Sequence, residues 1–185
     1  MEERVESEPH PAFLDRCVTR RQFLFIGAAS VTTVALASVL PGTLFQAEVA
    51  AYEGMRVGSL RGLRVAEPQE FRYPWDHPNC VSYLIKLGVP AGGGVGPDRD
   101  VVAFNILCTH MGISLVNQYK AEHQVMGPCP AHLSTYDLTR HGMVVAGHAT
   151  EGLPQVLLET RGDDIYATGV MALIYGFSDN EVAPV

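Results

Sequence analysis

Apolar residues from about residue 54 onward fall into short segments that turn-forming residues separate. No long helical period competes with this pattern, which therefore predicts strands rather than helices. Residues 81–87 nearly alternate between apolar and polar, whereas residues 101–107 are almost continuously apolar, as expected for neighbouring strands of an antiparallel sheet. The predicted strands cover residues 55–65, 81–87, 101–107, 143–146, 155–159 and 164–168.

Composition supports an all-β domain. The 185 residues include 18 glycines and 12 prolines, which favour many tight turns over a helical bundle. Three of the glycines, Gly92-Gly93-Gly94, lie between the two central strands, and we expect a mobile hairpin loop there. The net charge of −7, without a cluster of Lys and Arg, argues against a nucleic-acid partner, because phosphate recognition depends on clustered cations.

The N-terminal residues read as a targeting signal. Arg20 and Arg21 stand directly before an apolar run over residues 23–40. The arginine pair resembles the twin-arginine export signal, which implies a periplasmic protein exported after its cofactor has been inserted. A general secretory signal or an uncleaved inner-membrane anchor remains open, because the run approaches the length of a bilayer span. We therefore predict a signal helix within residues 1–50 and one folded domain over residues 51–185.

The chemistry concentrates in two mixed pairs of ligands. Cys108 and His110, followed by Cys129 and His132, form the pattern C-x-H-x18-C-x2-H, and each pair lies at the end of a strand. Thiolates and neutral imidazoles both suit iron, so one iron can take the two sulfurs while a second takes the two nitrogens. A structural zinc site is the competing interpretation, although zinc usually pairs like ligands in C-x2-4-C and H-x3-5-H units.

These motifs resemble the cluster-binding loops of Rieske proteins, C-x-H-x-G and C-P-x-H-x-S-x-Y. The resemblance implies a Rieske-type antiparallel β-sandwich whose two loops bind a 2Fe-2S cluster. It also extends past the ligands, because Ser134 and Tyr136 follow His132 by two and four residues. In the family these hydroxyls hydrogen-bond a cluster sulfide and a ligand cysteine sulfur, which implies a reduction potential in the upper part of the Rieske range.

One departure from the family pattern concerns disulfides. Many respiratory Rieske proteins join the two loops by a disulfide, but Ile113 and Ala131 occupy those positions here. Cys17 lies in the predicted signal, and Cys80 is expected to be a lone buried thiol. The missing bridge weakens an assignment to the quinol-oxidising cytochrome bc complex.

A longer resemblance runs from about residue 52 to residue 175 and is carried mainly by residues 127–150, 153–156 and 163–170. It is to the small subunit of bacterial arsenite oxidase. It implies a heterodimer or larger complex with a molybdopterin-containing large subunit that oxidises arsenite. Electrons would then pass through this chain to a cytochrome c or an azurin-like copper protein, and the chain alone would turn over no substrate.

Two other functions stay open at this point. The first is the Rieske subunit of a quinol-oxidising cytochrome bc complex, held by an uncleaved N-terminal helix. The second is a structural zinc module that mediates protein contacts. His123, His141 and His148 stand in no ligand motif, so we expect ordinary surface or core hydrogen bonding from them.

Overall fold

The structure, a computed structural model, describes residue 52 and residues 54–181. Within these residues the chain forms ten strands and three short 3-10 turns, with no α-helix, so the predicted all-β fold is confirmed. The strands are β1 (Met55–Ser59), β2 (Gln69–Arg72), β3 (Val81–Lys86), β4 (Val101–Asn105), β5 (Tyr119–Lys120), β6 (Val125–Met126), β7 (Thr135–Asp137), β8 (Met143–Ala146), β9 (Gln155–Arg161) and β10 (Asp164–Met171).

The strands form two antiparallel sheets. The larger sheet has six strands in the order β1-β10-β9-β4-β3-β2, and the smaller has four in the order β5-β6-β7-β8. Strands β3 and β4 pair as the sequence predicted. Every residue of β4 is buried, because this strand lies inside the larger sheet and is covered on both faces.

Alternation along β3 and β4 divides the core in two. Ile85 and Phe104 belong to one buried cluster, which continues into the smaller sheet, whereas their neighbours Leu84 and Ala103 belong to a second cluster on β1, β9 and β10. Successive side chains of a strand point to opposite faces, so both faces of the larger sheet are packed. Burial of a side chain such as Phe104, which has no exposed area, contributes roughly 2–3 kcal/mol.

The glycine-rich loop between β3 and β4 is packed against its neighbours. The amide of Gly92 donates to the carbonyl of Thr139 at 2.8 Å, and the Gln155 side chain donates to the Gly92 carbonyl at 2.9 Å. A methyl group at Gly92 would lie 2.5 Å from Nε2 of His141. The loop expected to be mobile is therefore tied to the turn after β7 and to the start of β9.

The predicted strand over residues 55–65 was too long. β1 ends at Ser59, whose hydroxyl accepts from the Gly62 amide at 3.2 Å and begins a 3-10 turn. A side chain that bonds nearby backbone in this way competes with strand pairing.

The predicted signal over residues 1–50 lies outside the described residues, so it stays a prediction. In the part of the chain that the structure describes, no helix is long and apolar enough to span a bilayer.

Candidate metal centre

The first ligand pair lies on a tight loop that leaves β4. The Cys108 amide donates to the carbonyl of Ile113 at 2.8 Å, and the Gly112 amide donates back to the Cys108 carbonyl at 2.7 Å. Gly112 has φ 68°, a left-handed conformation that glycine adopts without steric cost. The loop therefore closes on its own cysteine and presents Cys108 and His110 from one turn.

The second pair lies on a loop between β6 and β7 that repeats the same hydrogen bonds. The Cys129 amide donates to the Ser134 carbonyl at 2.8 Å, and the Leu133 amide donates to the Cys129 carbonyl at 2.9 Å. Leu133 takes the position that corresponds to Gly112 and has φ 62°. A left-handed leucine is unusual, because its Cβ crowds the following carbonyl oxygen. Here the two bonds of the turn hold it in place.

The four side chains converge, with both sulfurs fully buried and both imidazole rings partly exposed. Cys108 and Cys129 are each 1% exposed, and their thiols lie within hydrogen-bonding reach of each other. The rings of His110 and His132 are partly exposed, with centroids 4.7 Å apart and planes at 85°. The structure thus brings together all four ligands that the sequence analysis named.

One nitrogen of the four ligand side chains is buried without a hydrogen-bond partner. Nδ1 of His132 is buried and has no hydrogen-bond partner. Buried polar atoms are rarely left unpaired, because such an atom gives up its bonds to water without replacing them. The lone pair of a buried imidazole nitrogen can coordinate a metal ion in place of a hydrogen bond, so this atom fits the role of a ligand.

Two thiols and two imidazoles can serve two metal ions, with two protein ligands for each. No group of three or more His, Cys, Asp or Glu side chains among the described residues is arranged to hold a single ion. A two-iron cluster needs only two protein ligands for each iron, and the buried thiols and outer imidazoles supply such pairs. The three described cysteines, Cys80, Cys108 and Cys129, are all free thiols, in keeping with the absence of a disulfide between the loops.

Tyr136, which is completely buried, contacts the sulfur of the first loop. Its hydroxyl lies 3.1 Å from Sγ of Cys108 and accepts from the Thr109 amide at 3.2 Å. Burial, together with the hydrogen bond to Cys108, raises the pKa of Tyr136 to about 12, so the phenol keeps its proton. An anionic sulfur is a stronger acceptor than a neutral hydroxyl, and it therefore attracts that proton.

The surroundings of Cys108 favour the thiolate. Burial acts to raise the pKa of the thiol, but hydrogen bonds from Tyr136, the His110 amide, Cys129 and Ser134 outweigh it and lower that pKa. Donors that point at a buried sulfur stabilise its negative charge. The sulfur is consequently prepared for metal binding, which requires the deprotonated form.

Ser134, the other hydroxyl that the sequence analysis singled out, is fully buried and accepts from the Ala149 amide at 3.0 Å. This bond ties the second loop to the segment after β8. Gly147 in that segment has φ 91°, and a methyl group there would lie 2.3 Å from both N and Cα of Ser134. The backbone of the second loop therefore rests directly on this glycine.

Replacement of Tyr136 by phenylalanine is expected to lower the reduction potential and leave the centre intact. The phenol stabilises negative charge on sulfur, which is greatest in the reduced state, and a difference of about 1 kcal/mol corresponds to about 40 mV. A potentiometric titration followed by electron paramagnetic resonance measures this shift. Tyr119→Phe is the matched control, because the buried Tyr119 hydroxyl has no hydrogen-bond partner. An unchanged potential in Tyr136→Phe would contradict the proposed bond.

Comparison with known proteins decides what kind of centre this is. A family model described as "Rieske [2Fe-2S] domain" matches residues 86–157, which include both loops. "Iodate reductase subunit IdrB" of Pseudomonas sp. (strain SCT) is 57% identical over 171 residues, covering 91% of this chain and 88% of that protein. This chain belongs to the Rieske [2Fe-2S] family. A second relative of this Rieske protein, "Iodate reductase subunit IdrB" of Denitromonas iodatirespirans, is 58% identical over 167 residues, covering 89% of this chain and 87% of that protein.

The likeness of this Rieske protein to solved structures concerns its fold. The soluble domain of the Rieske protein II (soxF) from Sulfolobus acidocaldarius has a TM-score of 0.60 and 24% sequence identity, covering 72% of this chain and 85% of that one. The predicted Rieske fold and the 2Fe-2S cofactor are therefore confirmed. Such a cluster is a one-electron carrier with a potential of roughly −150 to +300 mV. The narrower resemblance to arsenite oxidase is not confirmed, because both relatives are named as iodate reductase subunits.

The sequence analysis gave Thr109 no role and expected only ordinary hydrogen bonding from His148, but both lie at the Rieske site. Thr109 donates its hydroxyl proton to the Glu151 carbonyl at 2.7 Å, and so links the first loop to the segment before β9. The ring of His148 lies 5.8 Å from that of His110 and 5.6 Å from that of His132. Thr109 is the variable middle residue of the C-x-H motif and is not a ligand itself, whereas His148 stands in no ligand motif, and nothing in the sequence indicates that β8 returns the chain to the site. His141 behaves as expected, with Nδ1 2.7 Å from Oε1 of Gln155.

Proposed function

We propose that Cys108 and Cys129 bind one iron of the Rieske cluster and that His110 and His132 bind the other. The buried thiols and partly exposed imidazoles support this division, as does the unpartnered Nδ1 of His132. Ser134 and Tyr136 then act as hydrogen-bond donors that raise the potential. Zinc is disfavoured, because zinc sites usually pair like ligands and because the family model that matches both loops is that of a 2Fe-2S domain.

We further propose that the chain is the electron-transfer subunit of an oxidoreductase that acts on a small oxyanion, with iodate as the substrate. The observation that carries this proposal is the identity of 57% and 58% to two iodate reductase subunits over about nine-tenths of the chain. The region that this chain shares with the two relatives extends well beyond residues 86–157, which match the Rieske family model. The similarity therefore reaches past the cluster-binding loops. The chain itself supplies an electron carrier, and the substrate chemistry belongs to a larger partner.

The identity of the substrate determines the direction of electron flow. Iodate reduction consumes electrons, so this subunit would pass them to the large subunit. The resemblance of residues 127–150 to arsenite oxidase implies arsenite oxidation instead. That reaction releases electrons, so this subunit would receive them from the large subunit. A one-electron carrier serves either direction, because the potentials of its donor and acceptor set the net flow. We place iodate first, since the relatives at 57% and 58% identity bear that name.

The proposed partners are a molybdopterin-containing large subunit and a cytochrome c or azurin-like copper protein that exchanges electrons with the cluster. The exposed surface around the site is suitable for such contacts. Met111 is 54% exposed and Leu133 is 63% exposed, and both stand on the cluster-binding loops. Exposed apolar side chains around a functional site are typical of protein interfaces. Export by the twin-arginine route to the periplasm remains part of the proposal.

Purification of the full-length chain with its native partners tests these assignments. We expect a large subunit that contains molybdenum, oxidation of the reduced Rieske cluster on addition of iodate, and no reduction of the oxidised cluster by arsenite. Reduction by arsenite, without a response to iodate, would reverse the substrate assignment. A chain that purifies without any molybdenum-containing partner would overturn the proposed complex.

The control for this experiment is the His132→Ala variant of the same complex. His132 is partly exposed and outside the buried core, and the truncation leaves the exposed side chains of Met111 and Leu133 in place for the partner. We expect the variant complex to lose electron exchange with iodate while it keeps the large subunit. This result separates the relay function of the chain from its role in assembly.

A further inference from the structure

The segment that follows β10 folds back on itself and ends beside the N-terminal edge of the described chain. The Asn180 side chain donates to the Ala172 carbonyl at 2.7 Å and accepts from the Ile174 amide at 3.1 Å. The hydroxyl of Tyr52 donates to the Asn180 carbonyl. Ile174 is 1% exposed and anchors the segment in the protein interior. Residues 172–180 thus form a closed loop that its own side chains hold, which we call the C-terminal loop.

The C-terminal loop carries Tyr175 to the first cluster-binding loop. The Tyr175 carbonyl accepts from the Asn79 side chain at 3.1 Å, which fixes the backbone at this point. The tyrosine ring then lies against Gly112. A methyl group built on Gly112 would lie 2.4 Å from both Cδ1 and Cε1 of the ring and 3.2 Å from Cζ. The ring and the backbone of the cluster-binding loop are therefore in direct contact, with no room for a side chain between them.

Gly112 is the residue on which the first loop closes. Its amide donates to the Cys108 carbonyl at 2.7 Å, and its φ of 68° turns the chain back toward β4. Opening this turn breaks the bond to Cys108, and the Tyr175 ring packs on the residue that donates it. Tyr175 is 40% exposed, so it packs on the loop and remains partly open to solvent.

We infer that Tyr175 is a positioning residue that holds the first cluster-binding loop closed and so slows loss of the 2Fe-2S cluster. It touches neither Cys108 nor His110 in the contacts described above and acts through the backbone of Gly112. Tyr175 lies outside residues 86–157, the region that matches the Rieske family model. The inference rests on the proposed assignment of Cys108 and His110 as ligands and is independent of the substrate.

The chemistry of the contact determines which variants are informative. The ring atoms nearest Gly112 are carbons, so Tyr175→Phe keeps the contact and Tyr175→Ala removes it. Loss of the packed part of a half-buried aromatic ring should shift the opening equilibrium of the turn about tenfold, which corresponds to about 1.4 kcal/mol. Tyr166 provides a matched control, because it is a partly exposed aromatic residue on β10 whose ring stacks 4.5 Å from the Arg161 guanidinium, in the larger sheet.

The test follows iron release from the full-length, cluster-loaded chain in the presence of an iron chelator. We expect Tyr175→Ala to release iron about tenfold faster than the wild type, and Tyr175→Phe and Tyr166→Ala to stay within about twofold. If Tyr175→Ala has an intact Rieske signal and releases iron at the wild-type rate, the role of Tyr175 is overturned and the ligand assignment stands. A wild-type chain that shows no histidine-coordinated signal would overturn both this role and the ligand assignment.

A second measurement shows whether the contact with Gly112 is the cause. Gly112→Ala should accelerate iron release strongly in the wild-type background, where the new methyl group collides with the ring. In the Tyr175→Ala background the same substitution no longer meets the ring and keeps the cost of a left-handed alanine. Its effect on the rate of iron release should therefore be several-fold smaller. Equal effects of Gly112→Ala in the two backgrounds would overturn the inference, even if Tyr175→Ala is itself unstable.

Discussion

Replacement of His132 by alanine is expected to give a folded chain without a Rieske cluster. The substitution removes one of the two nitrogens proposed to hold the outer iron. Loss of a hydrogen-bonding neighbour of a metal ligand already weakens binding by roughly 10–100-fold, and loss of a ligand should weaken it more. His132 is only partly exposed and is not part of the buried core, so we expect the strands to remain. Electron paramagnetic resonance of the reduced protein, with iron and acid-labile sulfide analysis, measures the result.

The control for this substitution is His123→Ala. His123 lies in the turn between β5 and β6, its side chain is 71% exposed, and it stands outside both loops. The same chemical change at this position should leave iron, sulfide and the spectrum as in the wild type. Retention of a histidine-coordinated signal in His132→Ala would contradict the ligand assignment.

Replacement of Gly147 by alanine is expected to destabilise the fold and to deplete the cluster together. The new methyl group would lie 2.3 Å from backbone atoms of Ser134, so the second loop must move. Overpacking against backbone typically costs about 1–3 kcal/mol, in addition to roughly 1–2 kcal/mol for a left-handed alanine. Urea unfolding and iron content, measured on the same preparations, give the two effects.

Gly162→Ala isolates the contribution of the collision. Gly162 has φ 65°, and a methyl group there would meet no atom within 4 Å. It therefore shares the backbone cost of Gly147→Ala without the collision. The free energy of unfolding should fall by about 1–3 kcal/mol more in Gly147→Ala than in Gly162→Ala, and only Gly147→Ala should lose iron. Equal losses of stability in the two variants would show that the contact with Ser134 is unimportant.

The sequence was sufficient where local chemistry determines the outcome. The C-x-H and C-x2-H spacing identified all four residues that the structure brings together, because each pair lies within a single turn. The apolar runs near residues 81–87 and 101–107 predicted the two paired strands β3 and β4, because buried strands need such residues on at least one face.

The sequence was insufficient where contacts between distant residues decide the structure. Strands β5 and β6 have two residues each, too few for a hydrophobic period to appear in the sequence. Their strand structure depends on pairing, of β5 with β6 and of β6 with β7. Residues His148 and Tyr175 reach the site through turns that no local pattern specifies. Leu133 adopts φ 62° because its loop closes on Cys129, although leucine by itself disfavours that conformation.

The repeated hydrogen-bond pattern of the two cluster-binding loops has a consequence for protein engineering. Each loop is closed by bonds to the backbone of its own cysteine, so its shape is specified locally, whereas the spacing between the loops comes from the surrounding sheets. A designer who transplants this centre into another scaffold can copy both cluster-binding loops, together with the outside contacts on which they rest, Tyr175 on Gly112 and Gly147 behind Ser134. The scaffold must then supply two strand ends whose separation and relative orientation reproduce those of β4 and β6.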